Sequence, residues 1–154
     1  QFVVAQAPSM PDEVYMNLIG QEDVKLAKGE TYNLLKQSHA ALVTSGTATL
    51  ETALFGVPQV VCYKGNPVSF WLATKLVKVK YISLVNLIMD KEVVKELIQT
   101  DLNEQNLKVE LGKLLRNKAN REQVLEEYKS LWHQLGDTPA SDTAAGEIYD
   151  LVTQ

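Results

Sequence analysis

Short apolar runs alternate with longer amphipathic ones up to about residue 100 of the chain. Phe2-Val3-Val4-Ala5 reads as a strand. Pro11-Asp12-Glu13 suits a helix first turn, with proline near the first helical position and acids at the positive dipole end. That helix is predicted to run to about Gly20, before a second short strand at Val24-Lys25-Leu26-Ala27. A short helix over Thr31–Gln37 follows the Gly29 turn, and Ala40–Thr44 reads as a third strand. Gly46–Phe55 is predicted helical, stopped by Gly56 and Pro58. Gln59–Tyr63 is a fourth strand, Asn66-Pro67 starts a helix to about Lys78, and Val79–Ile82 is a fifth strand. Beyond residue 89 the pattern turns helical, over Lys91–Gln99, Asn103–Leu115 and Asn120–Leu135. A last helix, capped by Ser141 or Asp142, reaches about Val152, after the linker Gly136-Asp137-Thr138-Pro139.

Strands alternating with helices imply βαβ units and a parallel sheet. The near-continuous apolar character of the third and fourth strands fits burial on both faces. The predicted fold is α/β, a Rossmann-like three-layer sandwich with a parallel sheet of about five strands and a C-terminal helical tail.

Composition narrows the function classes. The chain has 154 residues, 45% hydrophobic and 22% charged, as an ordinary globular domain has. With 15 basic and 19 acidic residues its net charge is −4, which disfavours general nucleic-acid binding. One cysteine, Cys62, allows no internal disulfide framework and no cysteine-cluster metal site. Two histidines, His39 and His133, would need carboxylate help to hold zinc. No apolar run approaches the roughly 18 residues of a membrane span. The chain opens without Met directly into an apolar strand, which reads as the C-terminal part of a longer protein.

Candidate chemistry concentrates in Thr44-Ser45-Gly46-Thr47-Ala48-Thr49-Leu50-Glu51. This stretch follows a buried strand and opens a helix. In a parallel sheet that junction lies at the carboxyl edge, where ligands bind. Small residues let a ligand approach the backbone, and free N–H groups with the helix dipole favour a phosphate or diphosphate. The hydroxyls of Ser45, Thr47 and Thr49 add donors. The Glu51 carboxylate, about one turn further in, can accept hydrogen bonds from both hydroxyls of a ribose. The plainer reading is a helix cap with a surface acid. For Glu51 a capping box would require Ala48 as N-cap, and alanine is a poor one. The stretch lacks both Gly-x-x-x-x-Gly-Lys and Gly-x-Gly-x-x-Gly, which disfavours P-loop and dinucleotide sites.

Other residues have paired readings. Tyr63 and Lys64 end the fourth strand at the same edge, where Lys64 could face a phosphate and Tyr63 a sugar or base. Ordinary packing and solvation is the alternative. Asn86 is a polar contact at the cleft or an asparagine satisfying loop backbone. The helix bearing Phe70, Trp71, Leu72 and Leu76, with Lys75, Lys78 and Lys80 nearby, is an interfacial surface or a core-facing stripe. His39 reads as structural, His133 as a surface or packing residue and Cys62 as a buried small hydrophobe. Leu107, Leu111, Leu114 and Leu115, then Val124, Leu125, Tyr128, Leu131, Trp132 and Leu135, form apolar stripes that must be covered.

Several separated motifs carry a family resemblance: Ser45–Glu51, Pro58–Lys64, Phe70–Ala73, Leu76–Lys78 and Tyr81–Leu87. Their order and spacing, over about residues 38–100 and more loosely to the end, resemble lipid-A-disaccharide synthase. One departure is Val85, where the family usually has proline before Asn-Leu. The resemblance implies the C-terminal half of a glycosyltransferase of the two-Rossmann-domain type called GT-B. Residues 1–100 would form the nucleotide-sugar-binding domain and 101–154 a helical extension, packing on the same domain or on a partner chain. The family transfers 2,3-diacylglucosamine from UDP-2,3-diacylglucosamine to the lipid acceptor 2,3-diacylglucosamine 1-phosphate, inverting the anomeric centre and releasing UDP. It implies no cofactor and no tightly bound metal.

By the same resemblance, Ser45, Gly46, Thr47, Ala48 and Thr49 would face the diphosphate and Glu51 the ribose, with Tyr63, Lys64 and Asn86 at the cleft. Uracil would meet backbone around Lys28-Gly29-Glu30, by analogy of fold. The catalytic base would belong to the missing N-terminal domain, so none is expected here. Further expectations are a homodimer through the C-terminal helices and a cytoplasmic protein held peripherally at the inner membrane. Another UDP-sugar-using GT-B enzyme and a non-catalytic dimerisation module of the same fold are the rival readings.

Overall fold

A computed structural model describes residues 1–66, 80–136 and 140–153. The described chain is α/β with only parallel pairing between its strands. In order, the elements are β1 (Phe2–Gln6), α1 (Asp12–Ile19), β2 (Val24–Lys28), α2 (Thr31–Gln37), β3 (Ala41–Thr44), α3 (Thr47–Leu54) and β4 (Gln59–Tyr63). After the undescribed 67–79 come α4 (Leu84–Met89), β5 (Lys95–Ile98), a 3-10 turn (Gln99–Asp101), α5 (Glu104–Arg116), α6 (Lys118–Leu135) and α7 (Ala140–Thr153).

Two points correct the sequence reading. The parallel strands form two small sheets rather than one of five, β1-β2 and β3-β4-β5. With β1 and β3 unpaired to each other, Phe2, Val3 and Leu42 remain exposed on strands that read as buried. The fifth strand is Lys95–Ile98, inside the span expected to be the Lys91–Gln99 helix, while the described residues 80–82 of the expected strand are irregular. Lys95-Glu96-Leu97 favours helix locally, but β4 offers a free edge. Val60 to Tyr63 pair in register with Lys95 to Ile98, and that pairing overrides propensity. The helix expected from Asn66-Pro67 to Lys78, with its Phe70-Trp71 surface, lies outside the described residues beyond Asn66.

Strand alternation sorts the core of the larger sheet. Val61 faces Ala53 of α3, Val85 of α4, and Val124, Tyr128 and Leu131 of α6. Val60 and Leu97 face the other way, onto Leu114 of α5 with Leu102 and Leu107 beside it. Asn103 and Asn117 cap α5 and α6, each accepting the N–H three residues on, from Asn106 and Asn120. The α6 stripe buries Val124, Tyr128 and Leu131 but leaves Trp132 and Leu135 exposed. On α7, Ile148, Tyr149, Leu151 and Val152 are all exposed.

Candidate functional site

Parallel strands bring their exits to one edge. Thr44 pairs with Cys62 and Tyr63 with Ile98, so Ser45, Lys64 and Gln99 leave the three strands side by side. The turn from β3 into α3 is at that edge. Gly46 is the N-cap, with φ 145° and ψ −163°, a conformation essentially confined to glycine. A Cβ there would meet nothing within 4 Å, so backbone conformation rather than crowding demands the glycine. Glycine also has no side chain to cap the first-turn N–H groups, and no side-chain cap is made there among the described residues. Gly46, Thr47 and Ala48 are exposed. An eight-residue helix thus presents its positive end to an open edge.

The hydroxyls divide their roles. Ser45 Oγ donates to the Ile82 carbonyl at 2.9 Å, pinning the turn to the segment before α4. Thr49 is fully buried, and its Oγ1 donates to the Gly46 carbonyl at 2.7 Å, so this hydroxyl shapes the turn. Thr47 stays at the exposed first position of α3. Glu51 is half-buried in the second turn. With Gly46 as N-cap it lies five positions in, beyond the N3 place of a capping box.

Lys64 is exposed and Tyr63 half-buried at the β4 exit. A Cβ on Gly65 would come within 2.9 Å of the Tyr63 hydroxyl, so the ring folds over the loop at the one residue with no side chain. Gly65 N–H donates to Gln99 Oε1 at 3.3 Å, tying this loop to the end of β5.

Asn86 is set apart from the exposed edge. It is fully buried in α4. Its Nδ2 donates to the Val94 carbonyl at 2.8 Å and to Glu96 Oε1 at 2.9 Å. Its Oδ1 accepts the N–H groups of Val93 and Val94 at 2.8 and 3.0 Å. Both amide hydrogens and the carbonyl are thereby used inside the protein. Gly29 follows β2 with φ 69°, in the two-stranded sheet. Beside it Lys28 forms a 2.7 Å ion pair with Asp12, which also accepts from Gln6 at 2.6 Å. These bonds, with Lys28 foremost, hold the Asp12 carboxyl below its ordinary range. α2 packs on β1 and β2, and its Tyr32 ring stacks on Phe55, the C-cap of α3, with centroids 5.2 Å apart.

Of the remaining singled-out residues, His39 and His133 are exposed, and the His39 carbonyl accepts from Arg121 of α6. Cys62 is half-buried, and burial pushes its thiol pKa up. Two residues escaped the sequence reading, Glu96 and Gln99. Both lie in the stretch taken as helix. No period-2 signal marks it: Glu96-Leu97-Ile98-Gln99 runs polar, apolar, apolar, polar, so only pairing with β4 reveals the strand. Among the described residues no cluster of three or more potential metal ligands occurs, and no helix is long and apolar enough to cross a membrane.

The family model described as lipid-A-disaccharide synthetase matches residues 6–148. The chain is 36% identical over 148 residues to the lipid-A-disaccharide synthase of Syntrophus aciditrophicus, covering 94% of this chain and 39% of that protein. It is 38% identical over 150 residues to the enzyme of that name from Haemophilus ducreyi, covering 95% of this chain and 35% of the relative. The Geobacter sulfurreducens protein of the same name is 30% identical over 154 residues, with 99% and 40% covered. The chain therefore spans well under half the length of these relatives.

Proposed function

The chain belongs to the lipid-A-disaccharide synthase family, and on that premise we propose that it is the nucleotide-sugar-binding C-terminal half of such an enzyme. The reaction proposed is transfer of 2,3-diacylglucosamine from its UDP derivative to 2,3-diacylglucosamine 1-phosphate. The product is the lipid A disaccharide 1-phosphate, and UDP leaves. One observation carries this reading: the open start of α3 at the carboxyl edge, with an N-cap that has no side chain, and Glu51 one turn behind it.

Breaking the sugar–phosphate bond leaves negative charge on the diphosphate. Backbone N–H groups of Thr47 and Ala48, unobstructed and backed by the helix dipole, are donors held ready for that charge. Exposed Lys64 at the neighbouring strand exit adds a cation to the same edge. Glu51 would accept the two ribose hydroxyls, a geometry that a single hydroxyl cannot satisfy equally. Tyr63 would border the sugar, and the Gly29 turn the uracil. Asn86 has no polar capacity left for the ligand, so its part is to shape the edge.

No catalytic base is assigned within this chain. The base that takes the acceptor hydroxyl proton is proposed to lie in an N-terminal domain, and this half alone to be inactive. The exposed apolar faces of α6 and α7 would be covered by that domain or by a second copy of the chain. The proposed location is cytoplasmic, peripheral at the inner membrane where both lipid substrates lie.

Calorimetric titration of the intact enzyme with UDP, beside ADP, tests the site. UDP is expected to bind selectively. Glu51→Ala should weaken it by about 1.5–3 kcal/mol, the worth of a hydrogen bond to a charged group. Equal binding of UDP and ADP, indifferent to Glu51, would refute the assignment.

A further inference from the structure

The segment between the undescribed residues and α4 is held on both sides. The Ile82 carbonyl accepts the Ser45 hydroxyl at 2.9 Å, and the Ile82 N–H donates to the Glu96 carboxylate at 3.0 Å. One peptide unit on each side of Ile82 thus joins the exit of β3 to β5, which lies on the far side of β4. Glu96 gathers more donors at the same place. Its Oε1 accepts from Ser83 N–H at 2.9 Å, Ser83 Oγ at 2.7 Å and Asn86 Nδ2 at 2.9 Å. Ser83 Oγ in turn caps α4 by accepting the Asn86 N–H at 3.3 Å.

A carboxylate suits this place because it only accepts, and every group aimed at it is a donor. An amide of the same shape can keep an acceptor at Oε1 but turns its NH2 group onto the Ile82 N–H, the contact that leads to Ser45. Asn86 fixes the carboxylate's direction, being itself held by the Val93 and Val94 backbone. Ser45 is the end of this chain of bonds, and its neighbour Gly46 begins the open turn. The geometry of the turn therefore depends on a residue on another strand.

We propose that Glu96, oriented by Asn86, is a positioning residue for the nucleotide-sugar site, acting through Ile82 and Ser45 on the turn that opens α3. The proposal rests on the nucleotide-sugar reading above. A purely structural role would make Glu96 matter for stability and leave ligand affinity alone.

A double-mutant cycle in the intact enzyme separates the two, with UDP affinity by calorimetry and thermal midpoint as readouts. Glu96→Gln and Ser45→Ala are each expected to weaken UDP about tenfold, the loss of one charge-assisted or oriented contact. The double variant should be no weaker than the worse single one, because both act on one link. Additive losses overturn the proposal. So does a Glu96→Gln protein with a lowered midpoint and unchanged UDP affinity. If Glu96→Gln does not fold, Ser83→Ala takes its place, since it removes one donor from the carboxylate, and must show the same non-additivity with Ser45→Ala. Glu51→Ala serves as the control for the parent reading. UDP affinity that depends on Glu51 and ignores Glu96 and Ser83 defeats the positioning role alone. Affinity that ignores Glu51 as well defeats the site itself.

Discussion

The pair Gln59–Tyr128 is a polar contact whose complete removal should cost less than its partial removal. Both residues are almost fully buried, at 1% and 2% exposure. Gln59 Nε2 donates to the Thr49 carbonyl at 2.8 Å and to the Tyr128 hydroxyl at 3.3 Å. Its Oε1 is buried with no partner among the described residues. Tyr128→Phe loses one long bond while Gln59 keeps Thr49, so it should cost about 0.5–1.5 kcal/mol. Gln59→Leu leaves the buried Tyr128 hydroxyl only the backbone of residue 59, without its side-chain donor, and should cost about 1–3 kcal/mol. The Thr49 carbonyl keeps its helical partner in either case. The double variant leaves neither the orphaned oxygen nor the buried hydroxyl. It should therefore return to within about 0.5 kcal/mol of the parent, a coupling of about 1–4 kcal/mol between adjacent residues. Urea unfolding with an unchanged denaturant slope reads this directly. A double variant as unstable as the sum of the two single ones would refute the reasoning.

Other outcomes follow from the same structure. Leu131 is fully buried against the sheet, so Leu131→Ala should lower stability by about 2–5 kcal/mol in urea unfolding. Burial raises the Tyr128 hydroxyl pKa well above its ordinary value of 10.0. The unfolded chain then ionises first, and stability should fall as pH climbs past 10, more steeply in the parent than in Tyr128→Phe. Burial likewise raises the Cys62 thiol above its ordinary 9.0, so iodoacetamide at pH about 8 should label it slowly in the native protein and fully in denaturant.

The turn from β3 into α3 was legible because every signal for it is local. An apolar run, a glycine and a row of small residues specify strand, turn and helix start within a dozen positions. The choice between cap and ligand site was not legible there. Only the structure shows that Ser45 and Thr49 spend their hydroxyls on backbone while Gly46–Ala48 stay open. Asn86 stood out in the sequence, but its role depends on Val93, Val94 and Glu96, which a helical reading of that stretch had placed elsewhere.

By itself, then, the sequence determined the order of alternating elements as far as Tyr63, the parallel α/β class and the family, since hydrophobic period, turn residues and motif spacing are written along the chain. Tertiary structure alone decided that Lys95–Ile98 is a strand and that the strands divide into two sheets. It also decided which polar side chains of the edge turn inward. These outcomes depend on hydrogen bonds between segments tens of residues apart. A free strand edge or a cluster of unsatisfied N–H groups can recruit a partner against its local preference.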